Sequence, residues 1–393
     1  MNLIDIIGWV LWIPVAMTGA YLLVFALAGR IIPAKKQTRN RDGTPQTHHK
    51  IAVLVPAYRE DAVILDTANR LLEIDYPEDR WDLVIIGDHL KPETIERLRG
   101  MPLRLIELAQ EESTKAKALN LALQQLGDGY DVAMVLDADN VVDSNVLHDF
   151  DQAFRQGARV VQARRIAKNE NSAVAILDAI SEEVNNTIFC LGHRRVGYSS
   201  RLIGSGMAFE YQLFKNFMAT NNAVGGFDKE LELTLMRSGE VIEYLHKTFI
   251  YDEKVSKSAH FGRQRLRWIA AQYHYLGRFL GPALTSLVSM KRLSFVDKTF
   301  QLLLLPRLVL VGSATIGTLL AWLWGNPALS MAWTGAFLSV AFAYAIATPG
   351  RFYRWKTLKA LAQLPGTFFR LVWELRGIRQ ANKKFIHTPH GEH

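Results

Sequence analysis

Ile51-Ala-Val-Leu-Val-Pro-Ala-Tyr-Arg-Glu60 decides the fold of this chain. Its first five residues are an unbroken apolar run with β-branched side chains, the pattern of a strand buried on both faces. Tyr58, Arg59 and Glu60 then mark where that strand gives out. Working outward, residues 61–72 space their apolar side chains as a helix does, Leu83-Val-Ile-Ile86 repeats the buried-strand pattern, and residues 115–126 predict a second helix. Val132-Ala-Met-Val-Leu136 predicts a third strand and residues 145–155 a third helix. Alternation of this kind means right-handed βαβ units, and so an α/β domain on a mostly parallel sheet.

Sheets of this type bind ligands beyond the carboxyl ends of their strands. The candidate site is therefore Pro56-Ala-Tyr-Arg-Glu60, Gly87-Asp88-His89 and Asp137-Ala-Asp139. Two carboxylates two residues apart, just past a buried strand, can hold a hard divalent cation such as Mg²⁺ or Mn²⁺ against a diphosphate. Asp149-Phe-Asp151 has the same spacing but falls inside a helical segment, where it reads as solvated surface charge.

The chain has 393 residues, 49% of them apolar and 21% charged, and a net charge of +8. A basic balance suits nucleic acid, anionic lipid or phosphorylated substrates alike. The single cysteine, Cys190, excludes an internal disulfide framework and any multi-cysteine metal site, and reads as a buried small hydrophobe. The apolar residues are unevenly spread. Residues 6–28 carry no charge and are long enough to cross a bilayer. A cleaved signal peptide is the competing reading; the run's length, and Asp5 where a basic cluster would stand, favour a retained anchor. Arg30, Lys35, Lys36, Arg39 and Arg41 follow at once and place the next segment in the cytoplasm by the positive-inside rule.

Two further apolar runs, 302–324 and 329–348, flank Gly325-Asn-Pro327 as a hairpin, with Arg351, Arg354, Lys356 and Lys359 after it. Arg307 inside the first run requires a partner, a headgroup or a wet cavity; otherwise 300–306 lies in the interface and the crossing starts later. Residues 273–294 read as an amphipathic interfacial helix, and 368–385 as either a second surface-lying segment or a solvated helix. The expected division is an anchor (1–30), a cytoplasmic domain (50–272), an interfacial region (273–298), a transmembrane hairpin (299–349) and a basic cytoplasmic tail (350–393). Basic residues gather beside membrane segments and not along an aromatic-interleaved groove, so no nucleic-acid partner is expected.

Five elements in one order give the cytoplasmic domain a family resemblance. They are Pro56-Ala-Tyr58 with Glu60, Lys115-Ala-Lys-Ala-Leu-Asn120, Asp137-Ala-Asp139, Glu230-Leu-Glu-Leu233 and Gln264-x-x-Arg267-Trp268. From about residue 50 to 271 the chain resembles the membrane-integrated glycosyltransferases of family 2, the group of cellulose, hyaluronan, chitin and poly-N-acetylglucosamine synthases. The resemblance implies a GT-A-like nucleotide-sugar-binding domain and an inverting, metal-dependent transfer of sugar. It implies Tyr58, Glu60 and Asp88 around the nucleoside, Lys115 facing the diphosphate, Asp137 on the nucleotide and metal, and Asp139 on the metal. Gln264 and Arg267 would hold the diphosphate, and Trp268 would stack on the acceptor sugar. A departing diphosphate gains charge that a cation, Lys and Arg stabilise, and indole buries a sugar's apolar face.

Three departures bear on the site. Lys229-Glu230 stands where the family has Glu-Asp, making Glu230 the general base, with Asp228 and Glu232 as alternatives. Gly87 precedes Asp88 where paired acids are usual, and Arg59 replaces a common Asn. Gly204-Ser-Gly-Met-Ala-Phe209 is either acceptor-binding backbone or a tight turn into a strand. His193-Arg-Arg195 reads as a solvated basic turn, with a diphosphate contact as the alternative, and Tyr251-Asp-Glu253 as a segment that orients Gln264 or as loop carboxylates.

The expected function is transfer from a UDP-linked donor to a growing β-linked polysaccharide at the inner membrane. Single-sugar transfer to a lipid acceptor is the alternative, and a catalytically inactive scaffold is a third reading. Three crossings are few for a polysaccharide channel, which points to a homo-oligomer, an export partner or no translocation.

Overall fold

The computed structural model describes residues 2–33, 47–109, 113–221, 226–254, 258–362 and 366, the side chains of 258–270 excepted. The described residues form two compact units. One lies within Lys35–Asn169 and Ser199–Lys254; the other lies within Met1–Ala34, Glu170–Tyr198 and Val255–Ala381.

The first unit is built on one eight-stranded sheet. Its strands are β1 (Ile51–Tyr58), β2 (Trp81–Asp88), β3 (Arg104–Leu108), β4 (Val132–Val135), β5 (Val141–Val142), β6 (Val160–Ala167), β7 (Met207–Glu210) and β8 (Ile242–Asp252), in the spatial order β3-β2-β1-β4-β7-β6-β8-β5. The β3-β2-β1-β4 half is parallel throughout, as the alternating pattern predicts. Strand β7 runs antiparallel to β4, and β6 antiparallel to β7. Those two reversals restore the original direction, so β6 and its parallel neighbour β8 point the same way as β4. The carboxyl ends of β1, β2, β4, β6 and β8 therefore share one edge.

Ile51, Val53, Val55, Ile85 and Met134 are fully buried, which is why these strands read as unbroken apolar runs and not as alternating ones. The Ile64–Leu71 and Val146–Arg155 helices lay Ile64, Leu71, Leu147 and Phe150 on that core. Asp151 departs from the surface-charge reading. It is 2% exposed, and its carboxylate meets His48 Nδ1 at 3.0 Å, His49 Nδ1 at 2.7 Å and Arg155 Nη2 at 2.6 Å. Asp149 accepts from Thr248 Oγ1 at 2.7 Å. Both acids thus tie the helix to neighbouring chain, which no spacing within the helix could reveal.

The other unit holds three helices long and apolar enough to cross a membrane: Leu3–Ile31, Arg307–Trp324 and Pro327–Ala347. Trp12 Nε1 donates to Ala332 O at 2.8 Å and Arg30 Nε to Ile346 O at 2.9 Å, which pins the first helix to the third near both ends. Gly317 lets the hairpin close, since a Cβ there would lie 2.2 Å from Cζ3 of Trp333. The membrane-length helix starts at Arg307, not at residue 302; residues 302–306 form the turn before it. Arg307 also has partners: it donates to the Ser181 carbonyl at 2.5 Å, to the Ser181 hydroxyl and to Asn185 Oδ1, and faces the Tyr344 ring at 5.9 Å.

The segment 170–198 belongs to this unit. Its His193-Arg-Arg195 is not the solvated turn that its charge implies. His193 is fully buried, stacked on Phe25 at 3.8 Å, with Nε2 2.8 Å from Tyr21 Oη and Nδ1 2.7 Å from Ile188 O. Arg195 Nη1 donates to Gly29 O at 2.6 Å. Cys190 is buried, as expected of a small hydrophobe. Residues 273–288 continue a longer helix, Ser258–Val288, on which Tyr273, Leu284 and Val288 are exposed. The tail segment 368–385 lies outside the described residues.

Candidate active site

The shared carboxyl edge gathers the residues picked out just past the strands. Tyr58 and Asp88 are register partners at the ends of β1 and β2. Each is followed by a non-glycine residue with left-handed backbone, Arg59 at φ 56° and His89 at φ 55°. Arg59 N donates to Asp88 O at 3.0 Å, so the two strand ends turn away together. An Asn suits that backbone better than an Arg, which gives the family's usual residue at this position a physical reason. Asp88 is 1% exposed, with His89 Nδ1 at 2.6 Å from one oxygen and the Ser113 hydroxyl on the other. The Tyr58 and His89 rings lie 5.6 Å apart edge to face. Glu60 is buried at the start of the next turn, where its carbonyl accepts from Ile64 N at 3.0 Å.

Asp137 and Asp139 follow β4, and Asp252 ends β8. Each offers one oxygen within 4.8 Å of the others. Asn140 Nδ2 bridges Asp139 Oδ1 and Asp252 Oδ1 at 3.2 Å each. Asp139 Oδ2 also accepts from Glu253 N at 3.3 Å. Three hard carboxylate oxygens of this kind suit Mg²⁺ or Mn²⁺, which take oxygen ligands and keep positions open for phosphate. Asp252 was legible as part of a segment orienting Gln264 or as a loop carboxylate, not as a metal ligand; that β8 runs parallel to β6 and ends at this edge is what brings it in.

Cations surround the carboxylates. Lys115, the first residue of the Lys115–Leu126 helix, pairs with Asp137 Oδ1 and donates to Gly204 O at 2.8 Å. Arg165 Nη1 lies 4.0 Å from Asp137 Oδ2 and 3.8 Å from Asp252 Oδ1. Lys254 Nζ lies 2.7 Å from Asp252 Oδ2. Sequence reasoning missed Arg165 and Lys254, because a cation on a strand or after one has no spacing that marks it.

The Gly204-Ser-Gly206 segment is the turn into β7, and it supports the site directly. Ser205 Oγ accepts from Asp137 N at 2.9 Å and donates to Asn140 Oδ1. Gln162 Nε2 holds Ser205 O at 2.8 Å and Gly206 O at 3.0 Å. Gly206 has φ 62°, and a Cβ there would meet Ile250 Cγ1 at 2.5 Å, so only glycine fits.

Residues 48–271 match the family described as Glycosyltransferase like family 2. The chain belongs to that family. This family 2 glycosyltransferase is 26% identical over 230 residues to a beta-monoglucosyldiacylglycerol synthase of Trichormus variabilis, a match covering 57% of this chain and 49% of the relative. It is 27% identical over 169 residues to a poly-beta-1,6-N-acetyl-D-glucosamine synthase of Staphylococcus epidermidis, covering 40% and 39%. The chain thus spans half or less of the length of these curated relatives. Its fold resembles that of a mannosyltransferase from Pyrobaculum calidifontis solved with GDP-Man and Mn²⁺, with a TM-score of 0.57, 16% identity and coverage of 93% of this chain and 99% of that one. The GT-A-like fold and the mostly parallel sheet are as expected.

Glu230 and Glu232 lie on the Phe227–Ser238 helix, 6% and 1% exposed. Glu232 Oε1 accepts from Leu202 N at 2.9 Å, a structural contact. Asp228, on the first turn of this helix, faces Gly204. Gln264, Arg267 and Trp268 fall on the Ser258–Val288 helix, with side chains outside the described residues.

Proposed function

We propose that this chain transfers a sugar from a nucleotide-sugar donor, UDP-linked, to a growing β-linked polysaccharide at the cytoplasmic face of the inner membrane, with inversion at the anomeric carbon. The observation that carries the reading is the meeting of Asp137, Asp139 and Asp252 with Lys115 and Arg165 at one sheet edge. A Mg²⁺ or Mn²⁺ ion held by those carboxylates would supply charge neutralisation for the diphosphate. Tyr58, Glu60 and Asp88 would receive the nucleoside. Glu230 accepts the proton of the acceptor hydroxyl, whose oxygen bonds to the anomeric carbon as the bond from that carbon to the diphosphate oxygen breaks. The electron pair leaves with the nucleoside diphosphate, which Lys115, Arg165, Gln264 and Arg267 stabilise. Trp268 would hold the acceptor sugar by stacking.

A lipid acceptor is the second reading, favoured by the longer match to a glycolipid synthase than to a polysaccharide synthase. A donor panel on protein in lipid nanodiscs with Mn²⁺, followed by sizing of the radiolabelled product, separates the two. High-mass product from one donor supports the polymer reading; a single-sugar lipid replaces it; no diphosphate release with any donor or added membrane fraction overturns both in favour of a scaffold.

A further inference from the structure

Asp137 and Asp252 are already matched by cations that the chain supplies. Lys115 pairs with Asp137, Lys254 lies 2.7 Å from Asp252, and Arg165 reaches toward both at 4.0 and 3.8 Å. Three carboxylates and three cations leave these six side chains formally neutral. The Asp252 end is poorly solvated, with the Lys254 side chain 3% exposed, Asp252 13% and Arg165 18%, and Asp137 is more open at 34%. Charge imbalance grows more costly as water is excluded. A divalent cation added alone would leave the group doubly positive, and a diphosphate added alone would leave it negative. Added together they offset each other.

We infer that Lys115, Lys254 and Arg165 act as exchangeable counter-ions, competing with the divalent cation for Asp137 and Asp252 and passing to the diphosphate when cation and nucleotide enter together. Lys254, which no catalytic role requires, is the positioning residue that makes the cation site weak without nucleotide. Coupling of this kind is reciprocal, so the cation tightens nucleotide binding by the factor that nucleotide tightens the cation. The nucleotide half of this inference rests on the donor reading above; the competition at the carboxylates does not.

The test is Mn²⁺ binding to the full chain in nanodiscs, read from the electron paramagnetic resonance signal of free Mn²⁺, with and without UDP or GDP. Removing an ammonium that competes for the carboxylate should tighten Mn²⁺ binding without nucleotide by about tenfold in Lys254→Met. UDP should then add less further tightening than in the parent, and Asp252→Asn in the same background should cancel the gain. Unchanged or weaker Mn²⁺ binding in Lys254→Met overturns the exchange. Should that variant fail to fold, Lys115→Met poses the same question at Asp137. Tighter Mn²⁺ binding with no binding of either nucleotide supports the exchange and overturns the donor reading. Nucleotide binding with Mn²⁺ affinity unmoved by both lysine variants does the reverse.

Discussion

Glu232 accepts a hydrogen bond from the Leu202 backbone N–H at 2.9 Å, although its neighbour two residues back is the carboxylate proposed to take the acceptor proton. The two acids are alike in burial and share one helix. Glu230→Gln is expected to keep donor binding and lose transfer. Glu232→Gln keeps a carbonyl acceptor for Leu202 and should transfer normally, whereas Glu232→Ala leaves a buried N–H unpaired and should cost about 1–3 kcal/mol of stability. Thermal melts and turnover of the three proteins check this, and normal transfer by Glu230→Gln would remove it as the base.

Asp151 should govern the acid stability of the sheet unit. Burial pushes its carboxyl up, but hydrogen bonds from the His49 side chain and backbone and from His48, with the Arg155 guanidinium, outweigh burial and hold it at about 2. A folded value below the unfolded 3.8 means stability that is present above pH 4 and lost as pH falls from about 4 toward 2. The contribution is about 2 kcal/mol. Melting temperatures between pH 6 and 3 should fall more steeply in the parent than in Asp151→Asn, which begins lower (about 2 kcal/mol). Parallel curves would contradict the assignment.

Gly206→Ala tests the scaffold beneath Asp137. The left-handed backbone, and Ile250 2.5 Å from where the new Cβ would stand, should cost more than about 1 kcal/mol. Because Gly206 N donates to Val135 O at 2.9 Å and Gly206 O accepts from Ala163 N at 2.8 Å, the strain falls on the strands that carry the site. Mn²⁺ affinity is expected to drop along with the melting temperature; a drop in neither would show that the turn yields freely.

Membrane orientation is open to labelling, because Cys190 is buried and will react slowly. Ala328→Cys, exposed at the hairpin tip, should react with an impermeant maleimide added outside intact cells. Lys356→Cys, also exposed, should react only after permeabilisation. The reverse pattern would invert the proposed topology.

The identity of β1, β2 and β4, the direction of their ends, and the membrane-length helices were legible from local pattern. A strand buried on both faces has to be apolar along its length, and a bilayer-spanning helix needs about 20 apolar residues; both demands fall on consecutive positions. Asp137 and Asp139 were legible for the same reason, standing where a strand ends, whereas Lys115 was marked only by the family resemblance. Asp252, Arg165 and Lys254 were not. They join the cluster only because two antiparallel pairings turn β6 and β8 back into line with β4. The burial of Asp151 and His193 was hidden likewise, since their partners His48, His49 and Tyr21 stand 103, 102 and 172 positions away. Local sequence determined which segments fold into what. Only the tertiary structure decided which charges meet, because an ion pair depends on distance in space, and spacing along the chain sets that distance only within a single element.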